Sequence, residues 1–382
     1  MADRVRILVG TSKGLFVLTS EDGRQSWQMT GPHCGGWGIN HAIGAGDALW
    51  AGGGSAWWGA GVWRSTNGGG DWDLVKLADG QMDAWARNDP DTARMLGITD
   101  VPPPAPYSGR VEAIWSLGRA GDRLYAGAKP ATLFASDDGG ASWDCVESLT
   151  DHPSADSWQP GAVGLTLHTI VSDPADTARM WLGISAAGVF ATEDGGTSWE
   201  RRNRLSNADS CGHTHHPAGP RDGETGHCVH NMMRGPDGTL WQQNHHGVYR
   251  SGDDGRSWED VTEGLPSHFG FPIAVHPTKA GTAFTLPLNG DTEGRYPPDA
   301  SAAVWRTRDH GATWQACRTG LPQEHCYFTV LRQAMAVDQT DTPGVYFGTN
   351  TGSIFASFDE GDSWQELAQH LPTVFCVETV TG

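Results

Sequence analysis

One octapeptide, repeated along the whole chain, restricts the fold more than any other feature. The pattern S/T-x-D-x-G-x-x-W ends at Trp27, Trp72, Trp143, Trp199, Trp258, Trp314 and Trp364. Five copies match at every position: Ser136 to Trp143, Thr192 to Trp199, Ser251 to Trp258, Thr307 to Trp314 and Ser357 to Trp364. In the other two, Asn67 replaces the aspartate and Arg24 replaces the glycine. A turn of this kind needs a side-chain acceptor for its backbone N–H groups and a residue tolerant of positive φ, which Asp and Gly supply. Its recurrence predicts one supersecondary unit made seven times.

Strand-like runs frame every copy. Immediately before it stand Leu15-Phe16-Val17, Val62-Trp63, Leu133-Phe134, Val189-Phe190, Val248-Tyr249, Val304-Trp305 and Ile354-Phe355. A second run lies earlier in each repeat, and an inner run such as Val163 to Val171 or Phe269 to Val275 earlier still. Four strands per repeat predict an all-β, seven-bladed β-propeller spanning residues 1–382 as one domain. Residues 4 to 29 hold only three strands, and Thr373 to Thr379 is an orphan at the other end. That orphan is expected to complete the first blade and remove the open edges of the ring. The stretch 79–108, with Pro90 and the run Pro102-Pro103-Pro104, reads as a rim or lid insertion. With 52 glycines, 18 tryptophans and 19% charged residues, the composition suits a turn-rich, aromatic-packed β protein.

The seven octapeptides resemble the Asp-box (BNR) repeats of the sialidase-like propeller superfamily, which includes sialidases, glucan hydrolases, sortilin-type receptors and a photosystem II assembly factor. The resemblance covers nearly the whole chain. It implies that the box aspartates are structural and that function lies on the opposite face, where the connections into each inner strand and between the second and third strands gather. It also implies sialidase-like glycoside hydrolysis as one activity, with a carboxylate held by arginines. The F/Y-R-I-P motif of those enzymes is absent here and tyrosine has only six copies. Of the local candidates, Arg110 and Glu112 could bind a substrate carboxylate on one strand face, or form an internal salt bridge. A two-carboxylate glycosidase would draw on Glu112, Asp151, Asp156, Asp222, Glu224 and Glu324.

A formal net charge of -19 and a sequence pI near 5.1 oppose nucleic-acid or anionic-membrane binding, which require basic patches. Seven scattered cysteines without a C-x-x-C pair suit reduced thiols. With no signal-peptide pattern at the amino terminus, a cytoplasmic location is expected.

Comparing the repeats with one another singles out the fifth. Its turn between second and third strands is Gln242-Gln243-Asn244-His245-His246-Gly247, where siblings read Ser185-Ala186-Ala187-Gly188 or Thr349-Asn350-Thr351-Gly352. The connection into its inner strand carries His213, His215 and His216, then His227-Cys228-Val229-His230. Imidazole is the commonest neutral metal ligand and titrates near neutral pH. A transition metal (zinc, copper or iron) on His213, His215, His216, His227, His245 and His246 is therefore one expectation, with His227, His230 and His245 as acid–base or catalytic groups beside Arg110 and Glu112. A solvated polar rim of histidines is the alternative. Trp57, Trp58, Lys129, Asn244, His33 and His325 are candidates for contacting a small-molecule or glycan ligand. A non-catalytic scaffold with a protein partner also fits. Thiol catalysis from His33-Cys34, His227-Cys228 or His325-Cys326 is disfavoured, because adjacent strand residues point to opposite faces.

Overall fold

The computed structural model describes residues 4–95, 97–99, 103–205, 224–290 and 292–382. Seven four-stranded antiparallel sheets form the blades of a propeller, as the repeat predicted. Counting from the amino terminus, the inner strands of blades 2 to 7 are Ile39–Ala45, Ala113–Ala120, Thr166–Ser172, Val229–Arg234, Gly270–Val275 and Met335–Val337. Blade 1 takes its inner strand from the carboxy-terminal end of the sequence. Val374–Thr381 pairs antiparallel with Val5–Thr11, with Val377 opposite Val9. Ring closure therefore joins the two ends of the described chain by main-chain hydrogen bonds. The largest apolar cluster crosses the same seam, running from Phe284 in blade 6 through Phe347 to Ile7 in blade 1, all fully buried.

Each octapeptide is a closed hydrogen-bond unit between the third and outer strands. In the third copy, Ser136 Oγ donates to Asp138 Oδ1 at 2.8 Å and accepts from the Gly140 N–H at 2.9 Å. The same carboxylate accepts from the Ser142 N–H at 2.9 Å and from the Ser142 hydroxyl at 2.6 Å. Asn67 reproduces the pattern with its amide, taking Ser65 Oγ at 2.9 Å and the Asp71 N–H at 3.0 Å. Arg24 occupies the glycine position at φ 69°, a left-handed conformation that a β-carbon disfavours. Neighbouring blades also bond to these turns. Trp50 of blade 2 donates its indole N–H to the Gly139 carbonyl of blade 3, and Trp181 of blade 4 to the Asp254 carbonyl of blade 5, both at 2.9 Å.

Six of the seven inner strands carry a register shift, those of blades 1 and 6 at Phe375 and between Gly270 and Ile273, and the other four at one shared height. In those four the pairing skips between Ile39 and His41, Ile114 and Ser116, Leu167 and Thr169, and Val229 and Asn231. A bulge places an extra residue on the strand and re-aims its side chain. The skipped residues of those four, Asn40, Trp115, His168 and His230, all line spaces on the propeller axis. The stretch expected as a rim or lid insertion holds two helices, Gln81–Asn88 and Pro90–Met95. Asp83 reaches back to the Gly80 N–H at 2.7 Å, and Pro90 opens the second helix with a pre-set φ, so local capping outweighs proline stiffening. The stretch is tied to blades 2 and 3 by Arg87–Asp79 at 2.5 Å and by Tyr107, which donates to the Trp143 carbonyl at 3.1 Å. Among the described residues, no helix is long and apolar enough to cross a membrane.

Candidate functional site

Three spaces follow one another along the axis. The first, about 340 Å³, lies among blades 4 to 7, on the side away from the octapeptide turns. A second, about 250 Å³, shares Val163 and Arg332 with it, and a third, about 640 Å³, shares Gln333 with the second. Chemistry-bearing side chains concentrate in the first.

Its floor is built by blade 5. Cys228 directly precedes the inner strand Val229–Arg234, in a tight turn closed by the Val229 N–H on the His227 carbonyl at 3.0 Å, and His230 is the bulged residue of that strand; turn and bulge together bring the two side chains to one side. His245 joins them from the turn between second and third strands, its N–H bonded to the Cys228 carbonyl at 3.1 Å. One donor atom from each of Cys228, His230 and His245 lies within 4.8 Å of the others. Cys228 Sγ is 3.7 Å from His230 Nε2. On its far side, His230 Nδ1 lies 2.6 Å from the Gly270 carbonyl oxygen. A carbonyl only accepts, so Nδ1 carries the proton and Nε2 presents its lone pair to the thiol. Burial holds the His230 imidazolium pKa well below the ordinary value, with Arg332 acting in the same direction, so the ring is neutral.

The walls come from blades 6 and 7. Phe269 packs edge to face on His230 at a centroid distance of 5.3 Å, and Phe271 packs on it tilted at 5.0 Å. Arg332 stacks over Phe271 at 4.9 Å, and Arg295 lies 6.0 Å from Phe269 and 5.9 Å from Phe271. Burial lowers the Arg332 guanidinium to about 10, which leaves it charged at neutral pH. Among the described lining residues there is no carboxylate.

The remaining described candidates are dispersed. His227 is buried but turns away, its Nδ1 accepting from Arg201 at 2.8 Å. His246 lies beside His245, 5.1 Å between ring centres. Asn244 is buried beneath the turn, donating to the Gly226 carbonyl at 3.0 Å and to Gln242 at 2.8 Å. His213, His215 and His216 lie outside the described residues. Arg110 and Glu112 precede the inner strand of blade 3 and are not paired with each other. Arg110 meets Glu147 at 3.5 Å, and Glu112 meets Lys129 at 3.3 Å. Trp58 stacks on Trp37 at 6.3 Å, while Trp57 is 49% exposed. His33 ends the outer strand of blade 1, with Nε2 3.0 Å from Thr30 Oγ1, and His325 is exposed beside the buried Cys326. None of the described groups among these lines the first space, nor does any described residue of 79–108.

The sequence reading passed over Cys228 as a ligand and gave Arg295 and Arg332 no role. The cysteine was not legible as a ligand, because a turn at Cys228 and a bulge at His230, not strand alternation, bring the two together. Neither arginine was legible, because they enter from the sixth and seventh repeats.

No family model matches the chain. Over 80 residues it is 29% identical to an oligoxyloglucan-reducing end-specific xyloglucanase of Emericella nidulans, a stretch covering 21% of this chain and 9% of that enzyme. The GH74 xyloglucanase from Xanthomonas campestris superposes with a TM-score of 0.62 at 18% identity, over 95% of this chain and 52% of that one. YCF48 from Cyanidioschyzon merolae superposes with a TM-score of 0.51 at 13% identity, over 85% of this chain and 83% of that one. The chain thus spans about half the length of the Xanthomonas enzyme. At these identities the likeness is one of architecture, and on that ground the chain is an all-β, seven-bladed propeller with structural neighbours among the GH74 xyloglucanases.

Proposed function

We propose that the axial pocket binds a transition metal ion through Cys228 Sγ, His230 Nε2 and one ring nitrogen of His245, leaving a coordination position open to the cavity for a small-molecule ligand. The convergence of those three donors carries the reading. Zinc bonds of about 2.3 Å to sulfur and 2.0–2.1 Å to nitrogen, at a tetrahedral angle, set the two donors roughly 3.6 Å apart. Cys228 Sγ and His230 Nε2 stand 3.7 Å apart. The Gly270 carbonyl supplies the outer hydrogen bond that ligating histidines characteristically make, and it selects the tautomer whose Nε2 can ligate. One thiolate with two imidazoles suits zinc or copper better than iron. Three protein ligands with an open fourth position is the arrangement of catalytic zinc sites, where a bound water acidifies to about pH 7. Relative to the histidine set expected from sequence, Cys228 and His230 enter, His227 leaves because it faces Arg201, and His246 leaves because the three converging donors do not include it, while His213, His215 and His216 lie outside the described residues. The free thiols of Cys34, Cys145, Cys317, Cys326 and Cys376 support the cytoplasmic setting as part of the same reading.

Elemental analysis of the untagged full chain, purified without chelator, is the test. About one equivalent of zinc or copper is expected, lost in both Cys228→Ser and His245→Ala. Protein that is metal-free and takes up neither ion would sink the reading.

Glycan hydrolysis is the second reading, supported by the short stretch of identity to a xyloglucanase. It calls for two carboxylates roughly 5–9.5 Å apart across a substrate cleft. In this chain Glu112 is paired with Lys129 and Glu224 with Arg204 at 2.9 Å. Turnover of xyloglucan or chromogenic glycosides that survives Cys228→Ser would favour it over the metal reading.

A further inference from the structure

We infer that the axial pocket takes a small organic carboxylate with an apolar body, its carboxylate held by Arg295 and Arg332 and its body laid against Phe269 and Phe271. The inference deepens the metal reading, and rests on it for taking this pocket as the functional site.

The charge balance is the first ground. In a chain of formal net charge -19, this pocket is lined by two guanidinium groups and, among the described residues, by no carboxylate. Like charges brought together out of water are unfavourable unless an anion lies between them. Arg332 Nε is buried with no hydrogen-bond partner. A buried unsatisfied donor of a charged group is costly, and a ligand oxygen would satisfy it.

Orientation is the second ground. Both guanidinium groups lie over phenylalanine rings of the pocket wall, and a guanidinium offers the paired N–H donors that a carboxylate accepts at two points. Arg295 is held at φ 58°, a left-handed conformation unfavourable for a residue with a β-carbon. Its carbonyl accepts from Thr329 Oγ1 at 2.7 Å, tying the blade 6 loop to blade 7. The strained loop keeps the guanidinium at the pocket.

The third ground selects the body of the ligand. Beyond the donors and arginines, the described lining is Phe269, Phe271, Val163, Ala162 and other small residues, with Ser185 the one hydroxyl. A polyol needs several acceptors and amides to replace its water, whereas an aromatic or aliphatic acid needs only apolar walls. About 340 Å³ suits a small ligand of that kind.

Calorimetric titration of the full chain with benzoate, glucuronate and inorganic phosphate, in chelator-treated and zinc-loaded forms, tests the inference. Benzoate is expected to bind one to one and more tightly than the other two. Arg295→Gln and Arg332→Gln should each weaken it by about tenfold or more, and Arg318→Gln, on the surface, should leave it unchanged. If Arg332→Gln fails to fold, as read by its thermal melt, the loop variant Arg295→Gln decides alone. Absence of benzoate binding in both forms, binding indifferent to the arginine variants, or tighter binding of phosphate or glucuronate would each overturn the inference. Protein that holds zinc but binds no benzoate removes this inference and leaves the metal reading intact. Arginine-dependent benzoate binding by protein that never takes up metal does the reverse.

Discussion

His230 donates Nδ1–H to the carbonyl oxygen of Gly270 across the boundary of blades 5 and 6, and this one bond turns Nε2 towards Cys228. The bond fixes both the tautomer and the ring plane, which a flexible amide cannot imitate. In His230→Gln, zinc affinity is therefore expected to fall by at least the roughly 10–100-fold that loss of an outer hydrogen-bond partner produces. Competition with a chromogenic chelator measures it, and an unchanged affinity would exclude His230 as a ligand.

Arg24 carries two opposed effects. Its left-handed backbone is unfavourable by about 1 kcal/mol, yet its side chain reaches Asp338 at 3.1 Å and the Thr342 carbonyl at 2.9 Å, joining blade 1 to blade 7. The Asp338 side chain is fully buried and also accepts from Tyr346 Oη at 2.6 Å. Removing one partner of such a pair destabilises by about 3 kcal/mol. Arg24→Gly is accordingly expected to lose about 2 kcal/mol net, read as a lower urea midpoint with an unchanged slope. A higher midpoint would mean that the backbone strain dominates.

Acid should loosen the octapeptide turns. The Asp22 and Asp194 carboxyls are held down to about 2, chiefly by the hydroxyls of Ser26 and Ser198, and Asp138 lies lower still. A depressed carboxyl contributes its full stability above the unfolded value of about 3.9 and loses it as pH falls through the folded value. The melting temperature is expected to be level near neutrality and to fall between about pH 4 and pH 2. Asp138→Asn, which copies the natural Asn67, should remove one such contribution and flatten the decline. Parallel melts that coincide at every pH would refute it.

Closure of the ring depends on the last strand. Val377 is fully buried opposite Val9, so Val377→Asp places a carboxylate among apolar side chains and is expected to cost more than about 4 kcal/mol. Soluble yield and the denaturation midpoint report it. Wild-type values for both would contradict the buried seam.

Much of the architecture was legible because it is local and repeated. Each octapeptide carries its own hydroxyl, carboxylate and tryptophan, so seven copies announce seven sheets, and the surplus strand near Val374 announces its own partner. The helices at 81–88 and 90–95 were not legible, because a single capping bond from Asp83 outweighed the proline content around them.

The site divided along the same line. The sequence alone determined that the fifth repeat departs from its siblings in histidine, since seven internal references expose one deviant. Only the tertiary structure decided that Cys228 joins His230 and His245, that His227 turns to Arg201, and that Arg295 and Arg332 come from two later blades to face them. The reason is physical: a bulge sets which way each inner-strand side chain turns, and closing the ring sets which distant side chains it meets.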